Sequence, residues 1–220
     1  NMMQQILPMV NVDMLNQVAQ QLVTDENLII AFQAPIEAVL PNEEEAVELL
    51  AAVKNEEIEA PVEEAIRENL VEVAPKAGKI KKVTTNEELG TTEWTLSNGV
   101  RVVIKPTEFK QDEILFSAFS KGGQSLVATE DLVSAVLATD VVSVSGLADM
   151  TMTDLQKALT GKNVSCSPSI NANTESIDGG STVKDLETLL QLNYLYFTAP
   201  RRDEDAYAML MSILESQLAN

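Results

Sequence analysis

The sequence contains no histidine, and this absence excludes several classes of active site. Histidine is the most common general base near neutral pH and the most common metal ligand in proteins. Without it, the chain can form neither a serine–histidine or cysteine–histidine nucleophile pair nor a histidine-based catalytic zinc site. Catalysis by carboxylates alone, as in glycoside hydrolysis, stays open, but nothing in the sequence marks a pair among the 34 acidic residues.

Cysteine, basic residues and long apolar runs are also scarce. The single cysteine, Cys166, cannot form an internal disulfide. Only 15 basic residues face 34 acidic ones, and the resulting net charge of −19 argues against binding to the phosphates of nucleic acid. No apolar run approaches the roughly 20 residues that a membrane-spanning helix requires, and the N-terminus shows no signal-peptide pattern.

The negative charge is concentrated between residues 43 and 72. This stretch holds eleven glutamates against two basic residues, Lys54 and Arg67, which gives a local charge of −9. We interpret it as a solvated linker, with one short helix near Val62–Glu68; an attractive surface for a cationic partner is the alternative. The predicted organisation is therefore a tail at 1–41, an acidic linker at 42–78 and a domain at 79–220.

Four short motifs are candidate sites, and each departs from the pattern that its chemistry requires. Asn171-Ala-Asn173-Thr-Glu175 offers oxygen ligands for a hard metal ion, but Ser176 follows where a calcium loop needs glycine. Gly161-Lys162 lacks the upstream glycine of a phosphate loop, so we expect Gly161 to end a helix. Gly179-Gly180-Ser181 lacks the closing glycine of a nucleophile elbow. Ser120 and Lys121 are neighbours on a predicted strand, so their side chains point to opposite faces.

The region before the linker predicts a helix and a strand. A helix beginning at Asp13 places Leu15, Val18, Leu22 and Val23 on one face. A turn at 24–27 leads to a short apolar strand, Leu28–Gln33. A second helix follows Pro41, with glutamates in its first turn, where negative charge suits the helix dipole.

The region after the linker predicts strands first and helices later. Two alternating runs around Asn98-Gly99 are a strong hairpin signal. We expect strands at Lys79–Thr85, Thr92–Ser97, Val100–Lys105, Glu113–Lys121, Asn163–Ile170 and Glu175–Asp178. We expect helices beginning at Thr129-Glu-Asp131, at the cap Thr153-Asp154, at Thr182 and at Asp203-Glu-Asp205. This order indicates an α+β fold, a mostly antiparallel sheet with helices packed on one face, preceded by an α-β tail and the acidic helical linker.

An ordered set of these motifs resembles one peptidase family. The segment Thr95–Lys105 is similar to the opening hairpin of a lobe in the pitrilysin/insulinase-type zinc metallopeptidases, which carry the motif H-x-x-E-H. The similarity continues through Gly122-Gly123, Asp154–Gly161 with the 163–178 strand pair, and Leu186–Phe197 with Pro200 and the final helix. Residues 8–35, which close with Gln-Ala-Pro, resemble the end of a preceding lobe, and the acidic segment resembles the linker between the two halves of such an enzyme.

The resemblance also shows where the family's chemistry is missing. In an active lobe, the helix after the glycine-ended strand carries H-x-x-E-H, whose two histidines bind zinc with a glutamate from a later helix. The corresponding helix here, TEDLVSAVLATDVV at 129–142, has no histidine. Glu130 and Asp131 suit helix caps, and Glu215 falls near the position of the later glutamate without the other ligands. We therefore expect no catalytic, cofactor-binding or metal-binding residue in this chain.

The resemblance implies a function for the chain as part of a larger enzyme. It implies a non-catalytic portion of a zinc metallopeptidase, forming chamber wall and substrate contacts, with zinc held in the catalytic half of the same polypeptide. The implied partners are that catalytic half and peptide substrates, without nucleic acid or a membrane span. The alternative within the family is an inert scaffold or assembly subunit, and outside it a freestanding acidic binding module. Because bacterial members often act in the cell envelope, that compartment is the corresponding expectation.

Overall fold

The computed structural model describes residues 5–22, 28–57, 59 and 67–219. The chain divides into two compact units, Asn1–Val62 and Glu63–Asn220. Within the described ranges, the first unit contains only helical elements and the second combines helices with two antiparallel sheets. None of the helices in these ranges is both long enough and apolar enough to span a lipid bilayer.

Among its described residues, the first unit contains a short 3-10 helix at Leu7–Met9 and the two α-helices that the apolar periodicity predicts. Helix α1 spans Val12–Leu22, and the side chain of Asn11 accepts a hydrogen bond from the Met14 amide at its start. Helix α2 spans Glu43–Asn55 and begins with a capping box, in which Asn42 and Glu45 each accept the backbone amide of the other. The predicted turn at 24–27 and the helix end at Val23 lie outside the described residues.

The strand predicted at Leu28–Gln33 is wrong. These residues are described and have no regular secondary structure, and Ile29 is 89% exposed. An apolar run becomes a strand only when a neighbouring strand pairs with its backbone amides and carbonyls. The described residues provide no such partner for this segment.

The first sheet of the second unit is a three-stranded meander. Its strands are β1 (Ile80–Asn86), β2 (Thr91–Leu96) and β3 (Arg101–Ile104), paired in the order β1-β2-β3. The predicted hairpin around Asn98-Gly99 is confirmed, and Gly99 adopts φ +90°, a backbone conformation that favours glycine. A register shift lies between Ile80 and Lys82 on the exposed edge strand β1.

The second sheet places the last strand of the chain in its centre. Its strands are β4 (Ile114–Lys121), β5 (Val164–Ile170) and β6 (Thr174–Ser181), in the order β4-β6-β5. Both neighbours of β6 are antiparallel to it, with Ser117 and Ser167 opposite Asp178. On β4 the side chains alternate between half-buried and exposed up to Phe119, so the strand has a covered and an open face.

Within its described residues, the second unit also contains four α-helices. They are α3 (Leu132–Ser145), α4 (Met152–Ala158), α5 (Leu186–Thr198) and α6 (Glu204–Leu218). Helices α3 and α5 pack against the second sheet, and α6 packs against α3. The predicted start of the last helix is confirmed, because Asp203 accepts a hydrogen bond from the Ala206 amide.

Two of the predicted helix starts are wrong by a few residues. Thr151, rather than Thr153, caps α4, in a capping box with Asp154. Thr182 does not begin α5; it lies in a turn, where its hydroxyl donates to Asp185, and the helix begins at Leu186. In both places a threonine near an acidic residue marks the turn correctly, but the sequence does not say which residue begins the helix.

The core of the second unit joins helices to a short piece of the acidic segment. Its buried apolar members are Leu70, Leu147, Met150, Leu155, Ala158, Leu192 and Leu195. Leu70 belongs to the predicted linker, yet it is only 2% exposed. The predicted short helix at Val62–Glu68 lies mostly outside the described residues, and its described end, Arg67 and Glu68, is not helical.

The α+β class with antiparallel strands is confirmed. Helices α3 and α5 lie against the second sheet, as expected for helices packed on a sheet face. The strands, however, form two sheets of three rather than one larger sheet. The sequence predicts which segments are strands, but strand pairing beyond a hairpin depends on contacts that are distant in the chain.

Candidate functional site

The open face of the second sheet is a polar surface built mainly from serines. Asp178, at the centre of β6, accepts hydrogen bonds from Ser117 on β4 at 2.7 Å and from Ser176 at 3.1 Å. The hydroxyls of Ser176 and Ser169 lie 2.7 Å apart. Because serine hydroxyls both donate and accept, this network leaves hydrogen-bonding capacity on the surface.

Two large apolar side chains lie on the same face of β4. Leu115 is 80% exposed and Phe119 is 75% exposed. They lie on either side of Ser117, and residues two apart on a strand share a face. A face that combines exposed apolar groups with hydroxyls can contact both the side chains and the backbone of a bound peptide.

The predicted oxygen-rich motif at residues 171–175 is used for internal hydrogen bonding. The carbonyls of Asn171 and Asn173 accept the amides of Gln124 and Gly122, each at 2.9 Å. The Glu175 carboxylate accepts the Ser120 hydroxyl at 2.9 Å and the Gly123 amide at 3.3 Å. The turn between β5 and β6 is thus joined to the segment after β4.

Gly123 makes this close approach possible. It adopts φ +61°, and a Cβ atom at this position would lie 2.2 Å from the carbonyl oxygen of Asn171. Only glycine fits there without a shift of the backbone. The sequence identifies Gly122-Gly123 as the end of a strand, but it does not reveal that the second glycine contacts a turn almost 50 residues away.

The residues of the other three candidate motifs take part in strands, a helix end and internal hydrogen bonds. Ser120 donates to Glu175, while Lys121 follows it on the last position of β4. Gly161 has φ +78° and lies shortly after α4 ends at Ala158. Lys162 donates to the carbonyl of Glu68 at 2.9 Å and to the Thr188 hydroxyl at 3.2 Å. The segment Gly179-Gly180-Ser181 forms the end of strand β6.

The helix that would carry the zinc motif does not fit a zinc ion. Helix α3 supplies no imidazole, since the chain has no histidine. Glu130 and Asp131 form a short 3-10 turn before it, and Asp131 makes no capping hydrogen bond with its side chain, so the predicted side-chain cap is wrong there. Glu215 lies exposed on α6. Within the described ranges, no three cysteines or carboxylates come together as metal ligands.

Cys166 is half-buried beside the core of the second unit. Burial raises the pKa of its thiol to about 11. Since the thiolate is the nucleophilic form, burial disfavours reaction of this thiol near neutral pH. The sequence indicates no role for Cys166. In the structure, its side chain packs against the apolar core.

Comparison with known proteins relates nearly the whole chain to zinc proteases. A protein named "Zinc protease PQQL-like" from Arabidopsis thaliana is 28% identical over 212 residues, which cover 94% of this chain. The chain is a relative of the pitrilysin-type zinc peptidases. It spans only 20% of the length of that plant relative. No protein-family model matches the chain.

Two solved structures share the fold. The ferredoxin protease FusC, solved as a mutant in complex with Arabidopsis ferredoxin, matches 83% of this chain at 26% identity with a TM-score of 0.60. The periplasmic protease PqqL from Escherichia coli matches 81% of it at 20% identity with a TM-score of 0.63. In both, the matched region is 20% of the solved chain. The fold and the family that the sequence motifs indicate are thus confirmed.

Proposed function

We propose that this chain is a non-catalytic portion of a pitrilysin-type zinc peptidase and that the open face of its second sheet contacts peptide substrates. The observation that carries the proposal is the pairing of Leu115 and Phe119, both largely exposed, with the Ser117–Asp178 network on one sheet face. Helices α3 and α5 pack on this sheet, yet both apolar side chains are left open. Such a face is suited to forming the wall of a chamber that holds an extended peptide.

The non-catalytic role rests on the composition of the chain. Without histidine, the chain cannot supply the H-x-x-E-H ligands that define the family's zinc site. Zinc and the water-activating glutamate therefore come from another part of the peptidase. The residues of this chain bind and position the peptide substrate and do not carry out a chemical step.

The charge of the chain favours one class of peptide. A net charge of −19 attracts cationic peptides over distances near the Debye length, about 8 Å at physiological salt. We expect this attraction to increase the rate of association and to weaken with added salt. Contacts with Leu115 and Phe119 are apolar and should persist at high salt.

Binding of a fluorescent, lysine-containing unstructured peptide to the chain tests the proposal. Phe119→Ser should weaken binding about tenfold, because burying one phenylalanine side chain contributes roughly 1.5–3 kcal/mol. Phe109→Ser is the matched control, since Phe109 is 94% exposed but lies before β4. Equal effects of the two substitutions, or no binding by the unmodified chain, would contradict the proposed contact.

The non-catalytic role has its own test. Zinc content and peptidase activity are measured on the purified chain after exposure to zinc and removal of excess metal. We expect neither stoichiometric zinc nor cleavage. Stoichiometric zinc together with peptide cleavage would overturn the non-catalytic role while leaving the peptide-contact face unaffected.

A further inference from the structure

A six-residue part of the acidic segment is attached to the second unit by one deeply buried side chain. We name residues 67–72 the strap. Leu70 is 2% exposed and packs into the apolar core formed with Leu147, Leu155, Leu192 and Leu195. Val73, immediately after the strap, is 81% exposed. Deep burial is thus confined to a single position in a stretch that is otherwise rich in glutamate.

Three polar contacts surround the buried leucine. The guanidinium of Arg67 donates to both carboxylate oxygens of Asp149, at 2.8 and 2.5 Å. The amide of Leu70 donates to the side-chain oxygen of Gln191 at 2.8 Å, and the Lys162 ammonium donates to the carbonyl of Glu68. The strap therefore makes specific contacts with the turn before α4, with α5 and with the loop after α4.

Every one of these polar contacts uses a side chain. Residues 67–72 lie outside the strands of both sheets, so no β-ladder holds the strap in place. Strands β4, β5 and β6, in contrast, are joined by continuous ladders. A segment without ladder hydrogen bonds can separate from its unit at a lower free energy than a strand within the sheet.

Asp149, which pairs with Arg67 of the strap, is also connected to the last helix. The carbonyl of Asp149 accepts a hydrogen bond from Arg201 at 3.4 Å, and Arg201 also pairs with Asp203 at 3.3 Å. Asp203 caps α6. Contact with Arg67 holds the pKa of the Asp149 carboxyl below its usual value, so the ion pair is complete at neutral pH.

We propose that residues 67–72 form a detachable strap, which closes the apolar core of the second unit with Leu70 and can open while the sheets and helices stay folded. When the strap opens, it uncovers an apolar socket and breaks the Arg67–Asp149 contact. The strap is thus a conformational device of the unit itself, and its opening does not depend on peptide binding.

Digestion of the full chain with a glutamate-specific protease tests this proposal. The strap contains two cleavage sites, Glu68 and Glu72, whereas Glu187 lies in helix α5 and reports unfolding of the unit. In the unmodified chain, cleavage after Glu72 should be faster than cleavage after Glu187. Leu70→Ala should accelerate cleavage after Glu72 by about thirtyfold or more and leave the rate at Glu187 within about threefold.

Two further variants keep the test decisive. Asn69→Ala is the matched control, because it truncates an exposed side chain next to Leu70 within the strap, and it should leave both rates unchanged. Arg67→Gln leaves the core intact and should accelerate cleavage after Glu72 by about two- to fivefold. Equal acceleration at Glu72 and Glu187 in Leu70→Ala, or failure of that variant to fold, would overturn the proposal, since the strap would then be an inseparable part of the core.

Discussion

The backbone amide of Asn163 donates a hydrogen bond of 2.9 Å to a carboxylate oxygen of Asp185, 22 residues further along the chain. The same oxygen accepts the Thr182 hydroxyl at 2.7 Å. Asp185 is buried. Through these two hydrogen bonds, its carboxylate connects the start of β5 to the start of α5. The Asn163 amide, and next the Thr182 hydroxyl, hold the pKa of Asp185 below its usual value.

Stability should therefore fall in acid through Asp185. Because its pKa is lower in the folded than in the unfolded state, its contribution is complete above the unfolded value of about 3.9 and is lost as pH falls toward the folded value. Asp185→Asn should lower the urea midpoint at pH 7 and make the midpoint less sensitive to a change from pH 5 to pH 3. Asp140→Asn, on an exposed position of α3, is the control for the loss of one negative charge.

Gly123→Ala should destabilise the second unit by more than about 2 kcal/mol. The added Cβ would meet the Asn171 carbonyl at 2.2 Å, so the turn between β5 and β6 must move, and the positive φ adds strain. Gly161→Ala is the control, because Gly161 also has a positive φ but has no atom within 4 Å of the added Cβ. It should cost about 1 kcal/mol. Urea unfolding distinguishes the two, and equal losses would show that the close contact is unimportant.

Thr151→Ala should destabilise the chain by about 1 kcal/mol through loss of the α4 cap. The Thr151 hydroxyl accepts the Asp154 amide at 3.2 Å, and Asp154 accepts the Thr151 amide in return. Thr153→Ala, two residues later in the same helix, removes a hydroxyl that does not cap the helix and should change stability by less than about 0.5 kcal/mol. Thermal unfolding measures the stability of both variants. A larger loss of stability in Thr153→Ala than in Thr151→Ala would contradict the assignment of Thr151 as the cap.

Cys166 should react slowly with iodoacetamide in the folded chain. Burial raises the pKa of its thiol to about 11, whereas an exposed cysteine has a pKa near 8.5. At pH 8 the folded thiol should therefore react at least about a hundredfold more slowly than the thiol in urea, because both the thiolate fraction and access are reduced. Mass spectrometry of the time course measures both rates. Equal rates would mean that the side of the core beside β5 is open to solvent.

The sequence predicts local features of this fold more reliably than distant ones. The Asn98-Gly99 hairpin and the start of the last helix at Asp203 are correct, because a turn or a cap is determined by a few adjacent residues. The strand at Leu28–Gln33 is wrong, since an apolar run alone does not supply a pairing partner. The division of the strands into two sheets also depends on distant pairing.

The candidate site is only partly visible in the sequence. Alternation along β4 marks Leu115, Ser117 and Phe119 as one face, but their meeting with Asp178 depends on the pairing of β4 with β6, 61 residues apart at Ser117. The burial of Leu70 is missed, because one leucine in an acidic stretch is compatible with a solvated linker. Leu70-Val71, an apolar pair among charged residues, is the signal that could have indicated an anchored segment.

The irregular pairing at the start of β1 has a consequence for how molecules of this protein meet one another. Strand β1 is fully exposed, and its register shift falls between Ile80 and Lys82, so Lys81 occupies the bulge of an edge strand. A bulge and clustered lysines both oppose the addition of a foreign strand. This edge is therefore protected against intermolecular strand exchange, and concentrated solutions should not polymerise through strand β1. Replacing Lys81 and Lys82 with threonine would remove the protection that the lysines give and leave only that of the bulge.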